Sequence, residues 1–595
     1  MRRTLVVATL AAAALPALSA DVTVMRAARE PVDGLILKVK PAAAEGALQT
    51  ATQAGRRLER LAGLARAAGY PGSVAWRHLS DRMVSVKLPS SLTPEQQKAL
   101  MAKIMATGQV EWVEANDRVW PHAVGEPTNT EFTSQQWWAS ASPSVAGNAG
   151  VPNIREAWSR STGALSNAAP IAILDTGRVA HQDIRASGAN VLSGYDFVSD
   201  AAYSGDGGGR DSDPSDPGDF VDATGLNCGL QSSSWHGLAI EGIVSARVSD
   251  NAGMAGIHWN PRVMSLRVAG KCGAAKDDII AAMYWASGVA VPSAFGTASP
   301  LASPVQAKVV NISFGGLEGC DMSYQTAVDD LRGRGTVVVA SAGNEHGAVS
   351  RPANCQNVVA VAALNRLGLK STYSNFGNQV TVSTVGGDPA GTNTYTDAGA
   401  WGAVLGDSGL YTVGNSGTRS PSTVQSDYFL YAGTSFSAPI VTGVIALMFD
   451  VNPSLTVDQV IAGLKASARP HVTTSLVGAC STSNPGRCRC TTSTCGAGIL
   501  DADEALRWAA NPSGYVNLNT IPVNLDSNST VRLKLEQALT IAAQDRNANI
   551  TPASTTQPSS GGGGGAFGGA WVAVLGLMVA WRHGLRAVRW RHVLA

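Results

Sequence analysis

Between residues 151 and 510 the apolar residues gather in short strand-like runs, Ile171 to Leu174, Val263 to Val268, Val309 to Phe314, Val337 to Ala340 and Val358 to Val361, of which only the second and third contain polar residues, separated by stretches with helical spacing. A strand with no polar alternation is covered on both faces, and strands that alternate with helices are joined by crossovers. The pattern therefore predicts an α/β domain over residues 151–510, a doubly wound and mostly parallel sheet. Reactive groups in such sheets gather at the carboxyl ends of strands, so polar residues placed there are the first candidates for chemistry.

The flanking regions read differently. Residues 21–125 carry a strand from Gly34 to Lys40, an Ala-rich helix from about Ala42 to Ala68, and a strand from Met83 to Leu88. A helix opened by Thr93-Pro94-Glu95 and a strand from Val110 to Glu114 complete a small α+β unit. Residues 126–150 show no period and read as a linker. Beyond Asn511 the pattern fades, and residues 511–560 read as an extension ending in the spacer Thr551 to Pro558. At the amino end, Arg2 and Arg3, the apolar run Leu5 to Leu15 and small residues up to Ala20 read as an export signal over residues 1–20. At the other end, Gly561 to Gly565 lead into the apolar stretch Ala566 to Trp581, followed by Arg582, Arg586, Arg589 and Arg591. Residues 561–595 thus read as a C-terminal transmembrane segment whose basic end stays cytoplasmic.

Composition narrows the function. With 45% apolar residues, 15% charged residues and a formal net charge of +1 over 595 residues, the chain has material for a large core and no global field that favours nucleic acid. Its eight cysteines, Cys228, Cys272, Cys320, Cys355, Cys480, Cys488, Cys490 and Cys495, are an even number behind an export signal, which favours disulfides. The last four lie close together, but their spacing is irregular and no histidine lies among them, which weighs against zinc.

Four segments carry chemistry. Asp175 ends the strand Ile171 to Leu174 and precedes Thr176-Gly177, a carboxylate positioned to orient an imidazole; alone, Asp-Thr-Gly also fits aspartic peptidases and ordinary turns. His236, in Ser234-Trp235-His236-Gly237, opens a helical run whose amino-terminal field keeps an imidazole neutral, as a general base must be. Asn344 ends the strand Val337 to Ala340 through Ser341-Ala342-Gly343, and its side-chain amide is a donor suited to an oxyanion. Ser435, in Gly433-Thr434-Ser435-Phe436-Ser437-Ala438-Pro439, stands at the start of an apolar helix, where small neighbours admit a carbonyl and backbone N–H groups face it; a capping serine fits the same place. A further loop, Asp211 to Asp219, sets Asp211, Asp213, Asp216 and Asp219 close together, which suits either a hard cation such as calcium or a solvated acidic loop.

Taken together, Ile173-Leu174-Asp175-Thr176-Gly177, His236-Gly237, Ser341-Ala342-Gly343-Asn344 and Gly433-Thr434-Ser435 resemble the subtilisin-like serine peptidases, whose triad runs in the order Asp, His, Ser. The resemblance covers about residues 150 to 510. It departs from the family at Leu238, where Thr is usual, and at Phe436-Ser437, where Met-Ala is common. It implies a serine endopeptidase with Ser435 as nucleophile, His236 as base, Asp175 as its orienter and Asn344 as oxyanion donor, with no catalytic cofactor. It also implies that Ser313, Phe314 and Gly315, within Asn311 to Gly316, pair with an extended peptide. Glu345 is a candidate for meeting a basic side chain, although a solvated surface glutamate is the plainer reading.

By the same resemblance residues 21–125 are an inhibitory prosegment that the enzyme removes itself, the partners are protein and peptide substrates, and calcium is a structural ligand. Cys228 is expected to pair with Cys272 and Cys320 with Cys355, with the last four pairing among themselves. The tail resembles the glycine-rich sorting signals of Gram-negative bacteria, which implies an exported product attached to or released from the cell surface; a retained anchor competes with that reading. A catalytically dead binding protein on the same fold and a processing peptidase with a narrow target are the alternative functions.

Overall fold

The computed structural model describes residues 32–40, 75–78, 83–92, 94–115 and 126–547, the last stretch without 146, 164–167, 186–190, 223–227, 294–299, 302–304, 389–406, 408 and 518. The expected export signal, the helix expected from Ala42 to Ala68 and the glycine-rich tail lie outside the described residues. The chain divides into two compact units, Met1–Pro121 and His122–Ala595.

In the first unit the strands β1 (Val32–Val39), β2 (Ala75–His78), β3 (Met83–Leu92) and β4 (Val110–Ala115) form an antiparallel sheet in the order β2-β3-β1-β4. Leu35, Leu37, Val84, Val86 and Val110 bury one face of it with Leu100 and Ile104 of helix α1 (Pro94–Ala106). Pro94 at the first helical position needs no N–H partner, which is why the helix starts there. Sequence reading found three of these strands and missed β2, a segment with little alternation.

The second unit is built on a parallel sheet. Its strands are β5 (Pro170–Asp175), β6 (Tyr195–Asp196), β7 (Arg262–Arg267), β8 (Val309–Ile312), β9 (Val337–Ser341), β10 (Val359–Leu364) and β11 (Val382–Val385), in the order β11-β10-β9-β8-β5-β7-β6. Every neighbouring pair is parallel. Alternate residues point to opposite faces, so Ile171, Ile173, Val337 and Val339 enter one core while Ala172, Leu174, Val338 and Ala340 enter another. The first core is closed by α2 (His236–Ser245), the antiparallel pair β12 (Leu410–Gly414) and β13 (Asp427–Tyr431), and α3 (Thr434–Val451); the second is closed by the helices Lys276–Ala286 and Met322–Gly333. This is the doubly wound α/β fold that the apolar runs predicted.

Two regions differ from expectation. Residues 126–150 are not a linker: Phe132, Trp137 and Trp138 are buried in the first core, and the indole N–H of Trp138 donates to Tyr411 O at 3.0 Å. Aromatic residues without helical or strand period gave no sequence signal, yet their area drives them inside. Part of the chain beyond 511 also packs. The helix α4 (Ser529–Asn547) presents Val531, Leu535 and Ala538, spaced by four and three, to a third core containing Leu367, Leu369, Val472 and Ile499.

All eight cysteines are paired, Cys228–Cys272, Cys320–Cys355, Cys480–Cys488 and Cys490–Cys495, in the arrangement expected. The one group of three candidate ligand side chains gathered among the described residues, Cys480, Cys490 and Cys495, is tied up in these bonds. Among the described residues one helix, α3, is long and apolar enough to cross a membrane, and it is buried against the sheet.

Because Leu535 is fully buried, Leu535→Ala is expected to destabilise the second unit by about 2–4 kcal/mol, measured by urea denaturation. A change below about 0.5 kcal/mol, as for a solvated surface position, would show that α4 does not pack.

Candidate active site

Asp175, Ser313 and Asn344 lie at or just beyond the carboxyl ends of β5, β8 and β9, and α2 and α3 begin over the same edge. The chain leaves β5 toward β7 on one side and passes through β8, β9 and β10 on the other, so β5 and β8 flank the point where the strand order reverses. The four motifs meet at this edge, where Asp175 contacts His236 and Asn344 contacts Thr434 beside Ser435.

His236 Nδ1 lies 2.7 Å from Asp175 Oδ1, which also accepts the Thr176 N–H at 2.8 Å. A carboxylate partner at Nδ1 assigns the ring proton to that nitrogen and leaves Nε2 as the acceptor. His236 Nε2 is buried and has no hydrogen-bond partner among the described residues. The ring is boxed by Phe314 and Phe436, whose centroids are 5.4 and 5.5 Å away at steep angles. Burial works to lower the basicity of this imidazole, while the Asp175 carboxylate, by charge and by hydrogen bond, and then the charges of Asp219 and Asp216 raise it; the net shift is upward from 6.5.

Ser435 is the second residue of α3, and its hydroxyl donates to Ser313 O at 3.2 Å. Its own carbonyl would normally accept the N–H four residues on. That residue is Pro439, which has none. Ser313 Oγ supplies the missing donor at 2.9 Å from Ser435 O, and Ser313 Oγ itself accepts from Asn311 Nδ2 at 3.0 Å. Thr442 on α3 completes the buried chain by donating to Asn311 Oδ1 at 3.0 Å. The start of α3 is pinned from the other side by Asn344, whose Oδ1 accepts both the N–H and the hydroxyl of Thr434 at 2.9 Å. A backbone N–H can only donate, so the atom facing it is the amide oxygen, and the NH₂ end is turned away from Thr434.

The sequence profile of the Subtilase family matches residues 166–496. The chain belongs to the Subtilase family. It is a serine endopeptidase of the subtilisin type, and the chemistry of this family needs no catalytic cofactor. An extracellular protease of Xanthomonas campestris is 36% identical over 484 residues, 80% of this chain and 72% of that protein. An extracellular basic protease of Dichelobacter nodosus is 32% identical over 378 residues, 62% of this chain and 55% of that protein. The solved structure of a protease from Pseudoalteromonas arctica is 35% identical with a TM-score of 0.53, covering 65% of this chain and all of that one.

In this subtilase the expected substrate residues divide. Phe314 stands beside the His236 ring, and Gly315 is exposed next to Gly316, whose N–H and C=O pair with Arg351 at 3.0 Å each. A Cβ on Gly315 would lie 2.6 Å from Arg351 O, so only glycine fits. Ser313 instead turns its side chain under α3. Glu345 is not a free carboxylate: its Oε2 accepts from Asn344 N at 2.9 Å and Asn375 Nδ2 at 2.7 Å, which braces the Asn344 loop.

The four-carboxylate cation site is not formed. Asp211 and Asp213 are exposed and cap their own loop, accepting from the N–H groups of Asp213 and Ser215. Asp216 and Asp219 are buried and turn toward His236. A different cluster of oxygens surrounds Asn129. Its Nδ2 lies 3.0 Å from Arg247 O, 3.1 Å from Asp250 Oδ1, 2.6 Å from Ala252 O and 2.9 Å from Met254 O, although an NH₂ group can satisfy only two acceptors. Asp183 adjoins them: its Oδ2 accepts from Met254 N at 2.9 Å, and its buried Oδ1 has no partner among the described residues. Crowded main-chain and carboxylate oxygens short of donors are the surroundings that a hard cation fits. Asn129 lay in the segment read as a linker, and carbonyl ligands leave no sequence trace, so the motif search missed this cluster.

Since its carboxylate neighbours outweigh burial, His236 is expected to hold its proton to a higher pH than a free histidine. The NMR titration midpoint of its ring should lie above 6.5 and should fall in Asp175→Asn. A midpoint at or below 6.5 in the parent would contradict this balance of charge and burial.

Proposed function

We propose that this subtilase is an exported endopeptidase whose Ser435 attacks the scissile carbonyl while His236 takes the proton and returns it to the leaving amine. Asp175 holds the imidazole in the tautomer that leaves Nε2 as acceptor, and the Asn344 NH₂ with the Ser435 N–H stabilises the oxyanion. The single observation that supports the reading best is the 2.7 Å contact of His236 Nδ1 with Asp175, behind a buried Nε2 that lacks a partner. Rotation of the Ser435 hydroxyl away from Ser313 O toward that nitrogen assembles the attacking pair. Catalytic hydrogen bonds commonly tighten only when substrate is bound.

Export is supported by the printed names of the relatives, which are extracellular proteases, and by the signal-like residues 1–20. Residues 21–125 are read as a prosegment removed by the same active site, consistent with a small separate body ahead of a parallel sheet that folds slowly. Phe314 and Gly315 are read as part of the strand to which an extended peptide adds, and residues 561–595 as a membrane-borne sorting signal.

Calcium is proposed as a structural ligand at the Asn129 cluster, held by the carboxylates of Asp183 and Asp250 and the carbonyls of Arg247, Ala252 and Met254. It would tie the loop after α2 to the start of the second unit and takes no part in bond cleavage.

Ser435→Ala is expected to fold, to lose casein hydrolysis by several orders of magnitude and to accumulate uncut precursor, read by intact mass. Asn344→Ala should lose about 10² to 10³ in kcat because one oxyanion donor is deleted and the attacking groups remain. A folded Ser435→Ala protein that matures by itself and cleaves casein at the parental rate would overturn the assignment.

Adding calcium to EDTA-treated protein should raise its melting temperature. The rise should vanish in the Asp183→Asn/Asp250→Asn double variant and persist in Asp211→Asn/Asp213→Asn. Identical melting curves in EDTA and in calcium would remove the proposal.

A further inference from the structure

Two of the acidic residues first read as cation ligands are built into the back of the active site. Asp219 accepts the Ser234 N–H at 2.6 Å on Oδ1 and the Ser234 hydroxyl at 2.7 Å on Oδ2, so both oxygens are committed to one residue. The Ser234 hydroxyl in turn accepts the N–H of His236 at 3.3 Å. On the far side of the same turn, Thr176 Oγ1 accepts the N–H of Gly237 at 3.0 Å. Between them Trp235 is a non-glycine residue at φ +53°, in the left-handed region that L side chains avoid, and its indole is anchored on Gly417 O at 2.6 Å. A turn held in that conformation stays there only while its surroundings hold it. Asp219 is the charged member of those surroundings.

We propose that Asp219 is a positioning residue for the reaction: through Ser234 it holds the strained Ser234–Gly237 turn that aims the His236 ring, and it sets a second carboxylate charge behind that ring. The proposal rests on the reading of His236 as the base. Four charged groups surround the imidazole and its supports. His236 sees Asp175, Asp219 and Asp216, and Asp216 sees Asp219 and Arg267, the latter already paired with Asp196 and Asp206. Burial and then the Asp219 charge push Asp216 up to about 7, and its Oδ2 has no partner among the described residues; burial raises Asp219 as well, against the two Ser234 donors that lower it. Neither residue touches the position of the scissile bond. Their effect on the reaction passes through the orientation and basicity of His236.

The test compares Asp219→Asn and Ser234→Ala with the parent for kcat and KM on a chromogenic peptide, the pH profile of kcat/KM and the melting temperature. Asp219→Asn keeps the shape and removes the charge, so kcat should fall about tenfold with KM changed less than twofold. Its acid limb should move to lower pH by about half a unit, because a base with one fewer negative neighbour loses its proton earlier. Ser234→Ala keeps the charge and breaks the link, so its kcat should fall without that downward move. An Asp219→Asn enzyme with parental kcat and an unmoved acid limb, or one whose loss is confined to its melting temperature, would overturn the proposal. If Asp219→Asn does not fold, parental kcat in Ser234→Ala overturns it alone. Ser435→Ala assayed in parallel separates the two readings: activity there refutes the triad, whereas an inactive Ser435→Ala beside a parental Asp219→Asn refutes only the role given to Asp219.

Discussion

The burial of helix α3 against the parallel sheet is the constraint on which the rest of the molecule depends. Ile440, Val441, Val444, Ile445, Leu447 and Met448 are all inaccessible to solvent, each contributing about 1.5–3 kcal/mol by its removal from water. That burial fixes the axis of the helix, and its first turn then falls at the edge where β8 and β9 end. The fit has a cost at that turn, since Pro439 leaves Ser435 O without its helical partner. The sheet supplies the remedy, because Ser313, just past β8, donates to that carbonyl, and Asn344, past β9, grips Thr434. Ser435 is therefore located by contacts to two strands rather than by the helix alone.

The same packing governs the electrostatics. A catalytic imidazole needs a low dielectric around it and a charge to keep it basic, and these pull its pKa in opposite directions. Here Trp235, Phe314 and Phe436 exclude water on one side while Asp175 and the Asp216/Asp219 pair lie on the other. The strained Trp235 turn is the mechanical counterpart of this arrangement, since it lets the ring leave the helix start toward Asp175.

Much of this was legible in the sequence, for identifiable reasons. The strands β5, β7, β8, β9 and β10 announce themselves because strands buried on both faces are rich in apolar residues. The gathering of Asp175, His236, Asn344 and Ser435 at one edge of the sheet was legible because four such segments occur together and in one order, whereas each alone has an ordinary structural reading. What escaped detection depends on long-range pairing. Phe132 and Trp138 fill the core without periodicity, α4 is anchored by a few apolar residues far along the chain from the core they join, and the oxygens around Asn129 come largely from main chain. Asp211 to Asp219 misled because spacing alone suggests a cluster, whereas the fold turns two of these carboxylates outward and two inward. Ser313 was expected to meet substrate, yet its side chain serves the backbone of Ser435. That role follows from a proline 126 positions away in the chain.

The central claim is that one serine, at the start of α3, is made reactive by His236 and Asp175. It is tested most directly by treating the mature enzyme with a fluorophosphonate and locating the adduct by peptide mass spectrometry. The account predicts a single adduct, on Ser435, formed with loss of activity in proportion to labelling and abolished in His236→Ala. An adduct on another serine that tracks the loss of activity, or full activity with Ser435 quantitatively labelled, would contradict it.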